Sequence, residues 1–373
     1  MRIGIPKEKT LEERRIALAP AGVDSLVKNG HTVFIESSAG NESFFSDELY
    51  REVGANIVYN PEEVFQRAEL IAKILPITEQ ESELLEENQI LFSFQHLATG
   101  KKKIVNNLLN KKITAISYEL IEKNDELPIL QSMSEIAGQL AIQLGERYLG
   151  SDFENSRGIL MGGLTGVAPA AVVILGAGVV GLNAARAAQG RGAHVIVLDT
   201  NLRRLRRIEN TLSKNITTVV ATPYTIARGV KFADLFIGAV QTVGEKSPHL
   251  VTEGMVKTMK KGAVIVDVSI DQGGCVETSR PTSISDPIFI EHNVIHVCIP
   301  NMPAMVSRTA TYGITNASIE YIMRIADNGL ANATVGDPGL TKGVCTHNGY
   351  CVNEILAETY NLEYRRIHFF STN

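Results

Sequence analysis

Three observations predict an α/β protein of two Rossmann-like, doubly wound domains with an active-site cleft between them. Short apolar runs alternate with helical patterns in two successive series, and a glycine-rich turn heads the second. At about 100 to 200 residues per domain, 373 residues also suffice for two separate cores. Hydrophobic residues at 44% and charged residues at 21% suit a chain that folds throughout. With 36 basic residues against 41 acidic ones the net charge is −5. That excludes the basic field that nucleic acid or an anionic membrane requires, and points to small-molecule partners.

The first series reads RIGIP (strand), PAGVDSLVKNG (helix), HTVFIE (strand), SDELYREVG (helix), NIVY (strand), PEEVFQRA (helix) and ELIAKIL (strand), and ILFSF and ITAISYEL continue it. Such βαβ crossovers imply a mostly parallel sheet with helices on both faces. The segment 134–149 predicts a bridging helix with Ser134 as its N-cap. The second series runs AVVILGAG, VVGLNAARAAQGRG, HVIVLDT, ITTVV, DLFIGAV, AVIVDVSI and IHVCIP. Beyond Pro303 two helical patterns, TYGITNASIEYIMRIAD and YCVNEILAETYNL, are too short for a core of their own and are expected to pack on the first domain. The expected division is therefore 1–130 with 304–373 for substrate and catalysis, and 131–303 for a dinucleotide.

Cys275, Cys298, Cys345 and Cys351 lack the paired spacing of a zinc site and the density of a disulfide scaffold, so no metal is expected and a reducing, cytoplasmic compartment fits. The first residues alternate apolar and charged and offer no signal-peptide pattern. The uncharged stretch 161–185 contains six glycines and a proline, which suits a strand–turn–helix better than a membrane span.

That stretch holds the strongest motif. Gly176-Ala177-Gly178-Val179-Val180-Gly181 follows the strand AVVIL and opens a helix, and the next strand ends on Asp199, 23 residues after Gly176. Gly176 permits the tight turn, Gly178 the approach of a pyrophosphate, Gly181 close helix–strand packing, and the helix N-terminus beginning at Val179 attracts the anion. Asp199 suits the ribose hydroxyls of NAD. Arg203 and Arg204 could instead take a 2′-phosphate, which Asp199 would repel, so NAD is the expected cofactor.

The segments EERRIALAP, FSFQHLATG, VSIDQGGC and IPNMPAMVSRT, with GIPKE and MSEIAG, resemble the alanine dehydrogenase and transhydrogenase α-subunit family over nearly the whole chain. The resemblance implies reversible oxidative deamination of L-alanine to pyruvate and ammonium, with His96 as general acid/base, Asp271 assisting proton transfer or the attacking water, and Arg15 holding the substrate carboxylate. It also places Ser134, Val240, Asn301 and Met302 around the nicotinamide and its ribose, and it suggests a homohexamer. Read singly, His96 also suits a cap or core histidine, Asp271 and Asn301 suit turns, and Ser134 suits a plain N-cap.

One departure matters. The family usually reads Lys-Val-Lys-Glu-Pro where this chain has Lys73-Ile74-Leu75-Pro76-Ile77, so the second, carboxylate-binding lysine is Leu75. Strand alternation puts Lys73 and Leu75 on one side, which allows Lys73 to substitute, unless Lys73 already sits at the domain surface. Thr165 and Ser307 stand where the family tends to have proline. Two rival readings follow: a transhydrogenase NAD-binding component, against which His96 argues, and a weakened NAD-binding relative with a different 2-amino acid, supported by Leu75.

Overall fold

The computed structural model describes residues 1–10, 12–151, 155–212, 215–240 and 247–367. The chain divides into two units, Met1–Met133 with Ala304–Asn373, and Ser134–Pro303.

In the first unit β1 (Arg2–Ile5), β2 (Thr32–Glu36), β3 (Asn56–Val58), β4 (Leu70–Ala72), β5 (Ile90–Ser93) and β6 (Thr114–Ser117) pair in parallel in the order β6-β5-β4-β1-β2-β3. β4, β5 and β6 are buried at every position, because helices cover both sheet faces, and so they read as continuous apolar runs. Local signals start the helices. Pro20 occupies the first turn of Pro20–Lys28, the Asn60 side chain accepts from the Glu63 amide at 2.8 Å, and Thr78 forms a reciprocal capping box with Glu81.

The second unit contains β7 (Ala171–Leu175), β8 (His194–Asp199), β9 (Thr217–Val220), β10 (Leu235–Gly238), β11 (Val264–Asp267), β12 (Ile288–Glu291) and β13 (Val294–Val297). Their order is β12-β13-β11-β10-β7-β8-β9, parallel except for the antiparallel edge strand β12. The six parallel strands of this unit repeat the order of the six in the first unit, in which the first and fourth strands lie side by side where the winding reverses.

The chain then returns to the first unit. Its last strands, β14 (Val344–His347) and β15 (Tyr350–Cys351), extend the sheet antiparallel from β6, and Cys345, Cys351 and Leu356 join a core with Phe65, Leu91 and Val105. This corrects the helical reading of 350–362: Asn348 and Gly349 both have positive φ, giving a two-residue hairpin turn, and only Glu354–Tyr360 is helical. Ser134 is corrected too. Pro128 opens the helix Pro128–Leu149, which places Ser134 well inside it rather than at its cap. Among the described residues no helix is long and apolar enough to cross a membrane, and all four cysteines are buried and unpaired.

Candidate functional site

Every residue singled out from the sequence beyond a strand lies at or past the carboxyl end of that strand, the edge where open α/β sheets bind ligands. In the second unit the turn after β7 is built by contact. Gly176 has φ of 108°, and a Cβ there would lie 2.3 Å from the Ala239 carbonyl oxygen. A Cβ on Gly181 would lie 1.8 Å from the oxygen of Gly176, so the helix Val179–Gly190 can approach its strand only through glycine. A Cβ on Gly178 would meet nothing within 4 Å, and no side chain caps this helix, which leaves its first amides without a side-chain acceptor. Gly138, which the sequence reading passed over, is a further close approach: a Cβ there would meet the Val180 carbonyl oxygen at 2.4 Å.

Asp199 ends β8 with its carboxylate 6% exposed in that turn, accepting from the Ala177 and Asn201 amides at 2.7 Å each. Arg204 stands 3.8 Å from the same carboxylate and is half-exposed. The ends of β10, β11 and β13 are tied together nearby. The Val240 amide donates to Ser269 Oγ at 3.1 Å, and the Asn301 amide, in a residue with φ of 52°, donates to Asp271 Oδ1 at 2.9 Å. Asp271 is exposed on the turn Val268–Gln272, while Met302 is buried. That turn is shaped by Asp267, which was not foreseen. Its fully buried carboxylate accepts the amides of Ser269, Cys275 and Val276, and burial pushes its pKa up.

In the first unit Arg15 is 2% exposed in its side chain and clamped by Glu13, with Nε 2.7 Å and Nη2 2.6 Å from the two carboxylate oxygens, while Nη1 lies 3.2 Å from Met133 Sδ. The helix Ser307–Val335 holds this segment: Thr311 and Thr315 hydroxyls accept the amides of Ile16 at 3.2 Å and Ala19 at 2.8 Å. His96 follows β5 with φ of 45° and a half-exposed ring, its amide donating to Glu119 Oε1 at 2.7 Å.

Lys73 overturns both expectations made for it. β4 ends at Ala72, so strand alternation does not govern Lys73 and Leu75, and Lys73 is neither at the surface nor available to stand in for a missing lysine. Its buried ammonium lies 3.1 Å from Glu8 and 2.8 Å from Glu81, whereas Leu75 is partly exposed. Glu81 Oε2 also accepts the Thr78 amide at 2.9 Å, and Glu8 Oε1 the Ile74 amide at 2.6 Å. The only sequence signal for this cluster was GIPKE, which carries Glu8 just past the end of the first strand. Among the described residues, no group of three or more His, Cys, Asp or Glu side chains is arranged to hold a metal.

Two family models match the chain: the N-terminal domain of alanine dehydrogenase/PNT over residues 4–137, and its C-terminal domain over 141–354. An alanine dehydrogenase of Methanococcus maripaludis is 45% identical over 366 residues, 98% of either chain. A solved L-alanine dehydrogenase superposes with a TM-score of 0.92 at 40% identity, covering 97% of this chain and 99% of its own. A transhydrogenase from Sinorhizobium meliloti shares the fold, with a TM-score of 0.81 at 21% identity over 95% of this chain and 99% of its own.

Proposed function

The chain belongs to the alanine dehydrogenase/PNT family, and on that premise we propose that it catalyses the reversible, NAD-dependent oxidative deamination of L-alanine to pyruvate and ammonium. Family membership implies a nicotinamide cofactor. The choice of NAD rests on Asp199, whose carboxylate suits a ribose diol and opposes a 2′-phosphate. The residues fit such a cofactor, since no side chain caps the helix Val179–Gly190 and Gly178 leaves space at its start, so its first amides can receive a pyrophosphate, with Asp199 at the end of the next strand. When bound, the cofactor supplies the acceptor for the hydride of the substrate α-carbon.

The protein does the rest. Arg15 holds the substrate carboxylate, and the bidentate grip of Glu13 fixes the plane of the guanidinium. His96 takes a proton as the amine is oxidised and water adds to the iminium carbon, then returns it as ammonium leaves. Asp271 holds that water or passes its proton on. L-alanine, water and oxidised cofactor thus become pyruvate, ammonium, reduced cofactor and one proton.

The observation that carries this reading is His96. An ionisable ring stands half-exposed at the carboxyl end of β5, on a left-handed backbone that neighbouring groups must hold in place. The four buried, unpaired thiols suit the proposed cytoplasmic setting. Adding L-alanine and NAD to the pure protein and following absorbance at the NADH band tests the proposal. A transhydrogenase component would leave that band unchanged and exchange hydride between two nucleotides instead.

A further inference from the structure

We infer that Glu119, on the turn after β6, is a positioning residue for His96. The inference rests on the acid–base role proposed above. β5 and β6 are parallel neighbours with Ser93 opposite Ser117, so the residues just beyond each strand emerge side by side. Glu119 sits there with its side chain 10% exposed, and no cation pairs with it among the described residues apart from the His96 ring at 3.6 Å. Its carboxylate is spent on the His96 segment: Oε1 accepts the His96 amide at 2.7 Å and Oε2 the Gln95 amide at 3.3 Å. Those two bonds hold the left-handed backbone at His96, a conformation that costs a non-glycine residue about 1 kcal/mol or more.

The same Oε1 faces the ring. Nδ1 of His96 is 3.6 Å away, and a closure of a few tenths of an ångström makes that approach a hydrogen bond of the kind that tightens when substrate binds. Phe94 lies nearly parallel to the imidazole, at 12° and 6.2 Å between centroids, on one side of a ring that is otherwise half-exposed. A carboxylate at Nδ1 selects the tautomer with hydrogen there, which leaves Nε2 with its lone pair as the atom that exchanges protons with substrate and water. Glu119 thus acts through His96: it sets where the ring stands and which nitrogen is basic.

The test reads the ring directly. In protein labelled with 15N-histidine, the His96 resonances are assigned by comparison with His96→Ala and recorded without substrate at a pH where the ring is neutral. The expected pattern is protonated Nδ1 and bare Nε2 in the parent, shifting toward protonated Nε2 in Glu119→Gln and staying with the parent pattern in Glu119→Asp. In the amination direction, Glu119→Gln should lower kcat tenfold or more with the KM for pyruvate and the binding of NADH within about twofold. A parent ring protonated mainly at Nε2 overturns the inference without any variant, so misfolding of Glu119→Gln does not shield it. An unchanged ring pattern or an unchanged kcat in a folded Glu119→Gln overturns it as well. Because the ring is measured without substrate, this failure differs from failure of the dehydrogenase reading, in which the parent protein itself does not turn over.

Discussion

Replacing Asp199 by Ala should collapse the preference for NAD over NADP. A 2′-phosphate carries about −1.5 to −2 charges at neutral pH. Placed about 5 Å from the Asp199 carboxylate at an effective dielectric near 20, each unit of that charge meets about 3 kcal/mol of repulsion. Arg204, 3.8 Å from the carboxylate but half-exposed, offsets part of it. A net discrimination of about 3 kcal/mol, or roughly 150-fold in kcat/KM, is therefore expected of the parent protein. Asp199→Ala removes the repulsion and also the charged acceptor for the ribose, so kcat/KM for NAD should fall by about 10- to 150-fold while that for NADP rises. Arg204 is the group positioned to receive the phosphate, and adding Arg204→Ala should cancel the gain with NADP. The assay is initial rates with both nucleotides at saturating L-alanine. Equal efficiency in the parent, or an unchanged ratio in Asp199→Ala, would refute the argument.

His96→Ala and Asp271→Asn should each lower turnover about a hundredfold or more with NADH binding retained, and near-normal turnover in either removes that residue from the proton path. Leu75→Lys should lower the KM for L-alanine by roughly ten- to 150-fold, the worth of one charged hydrogen bond to a carboxylate, and an unchanged KM shows that Arg15 suffices alone. Lys73→Met should cost about 3 to 5 kcal/mol of stability in urea titrations by leaving the carboxylates of Glu8 and Glu81 buried without their cation, and an unshifted midpoint contradicts that role. Burial lowers the pKa of His296 to about 4 from an ordinary 6.5, so its neutral form belongs to the fold. The unfolded chain then binds the extra proton between those values, and stability falls as pH drops from 6.5 toward 4, by about 3 kcal/mol across the window. His296→Gln should flatten the urea-stability profile between pH 6.5 and 5, and an identical slope in parent and variant refutes the assignment.

The glycine-rich turn was legible because its requirements are local. The φ of Gly176 and the approach of Gly181 to its strand leave only glycine, and a strand, a helix and an acid at fixed spacing surround them. His96 was visible by position, at the end of an apolar run. Glu119, Glu8, Glu13 and Glu81 were not, because a buried carboxylate is recognised only by its partners. Glu119 meets His96 across 23 residues and Glu8 meets Lys73 across 65, distances that periodicity does not encode. The two corrected elements show a different limit. Ser134 looks like a helix start until Pro128 is seen to start the helix earlier, and the Asn348-Gly349 hairpin was hidden because apolar spacing alone suited a helix.

The two units share one parallel strand order, so the residues at each reversal point decide whether it stays open. In an open α/β sheet the crevice lies where the winding reverses, between β7 and β10 in one unit and between β1 and β4 in the other. After β7 the chain reads Gly176-Ala177-Gly178, and the space beside Gly178 stays open. After β1 it reads Pro6-Lys7-Glu8, and the Glu8 carboxylate joins the two strand ends by accepting the Ile74 amide at 2.6 Å and Lys73 Nζ at 3.1 Å. Glu81 adds a second carboxylate on Lys73 at 2.8 Å. Side chains thus fill the place that stays open beside Gly178 in the other unit, and two acidic groups there oppose an anion. With its reversal point closed, the first unit carries the proposed acid–base residue His96 and its positioning partner Glu119 at the next strand ends outward, β5 and β6.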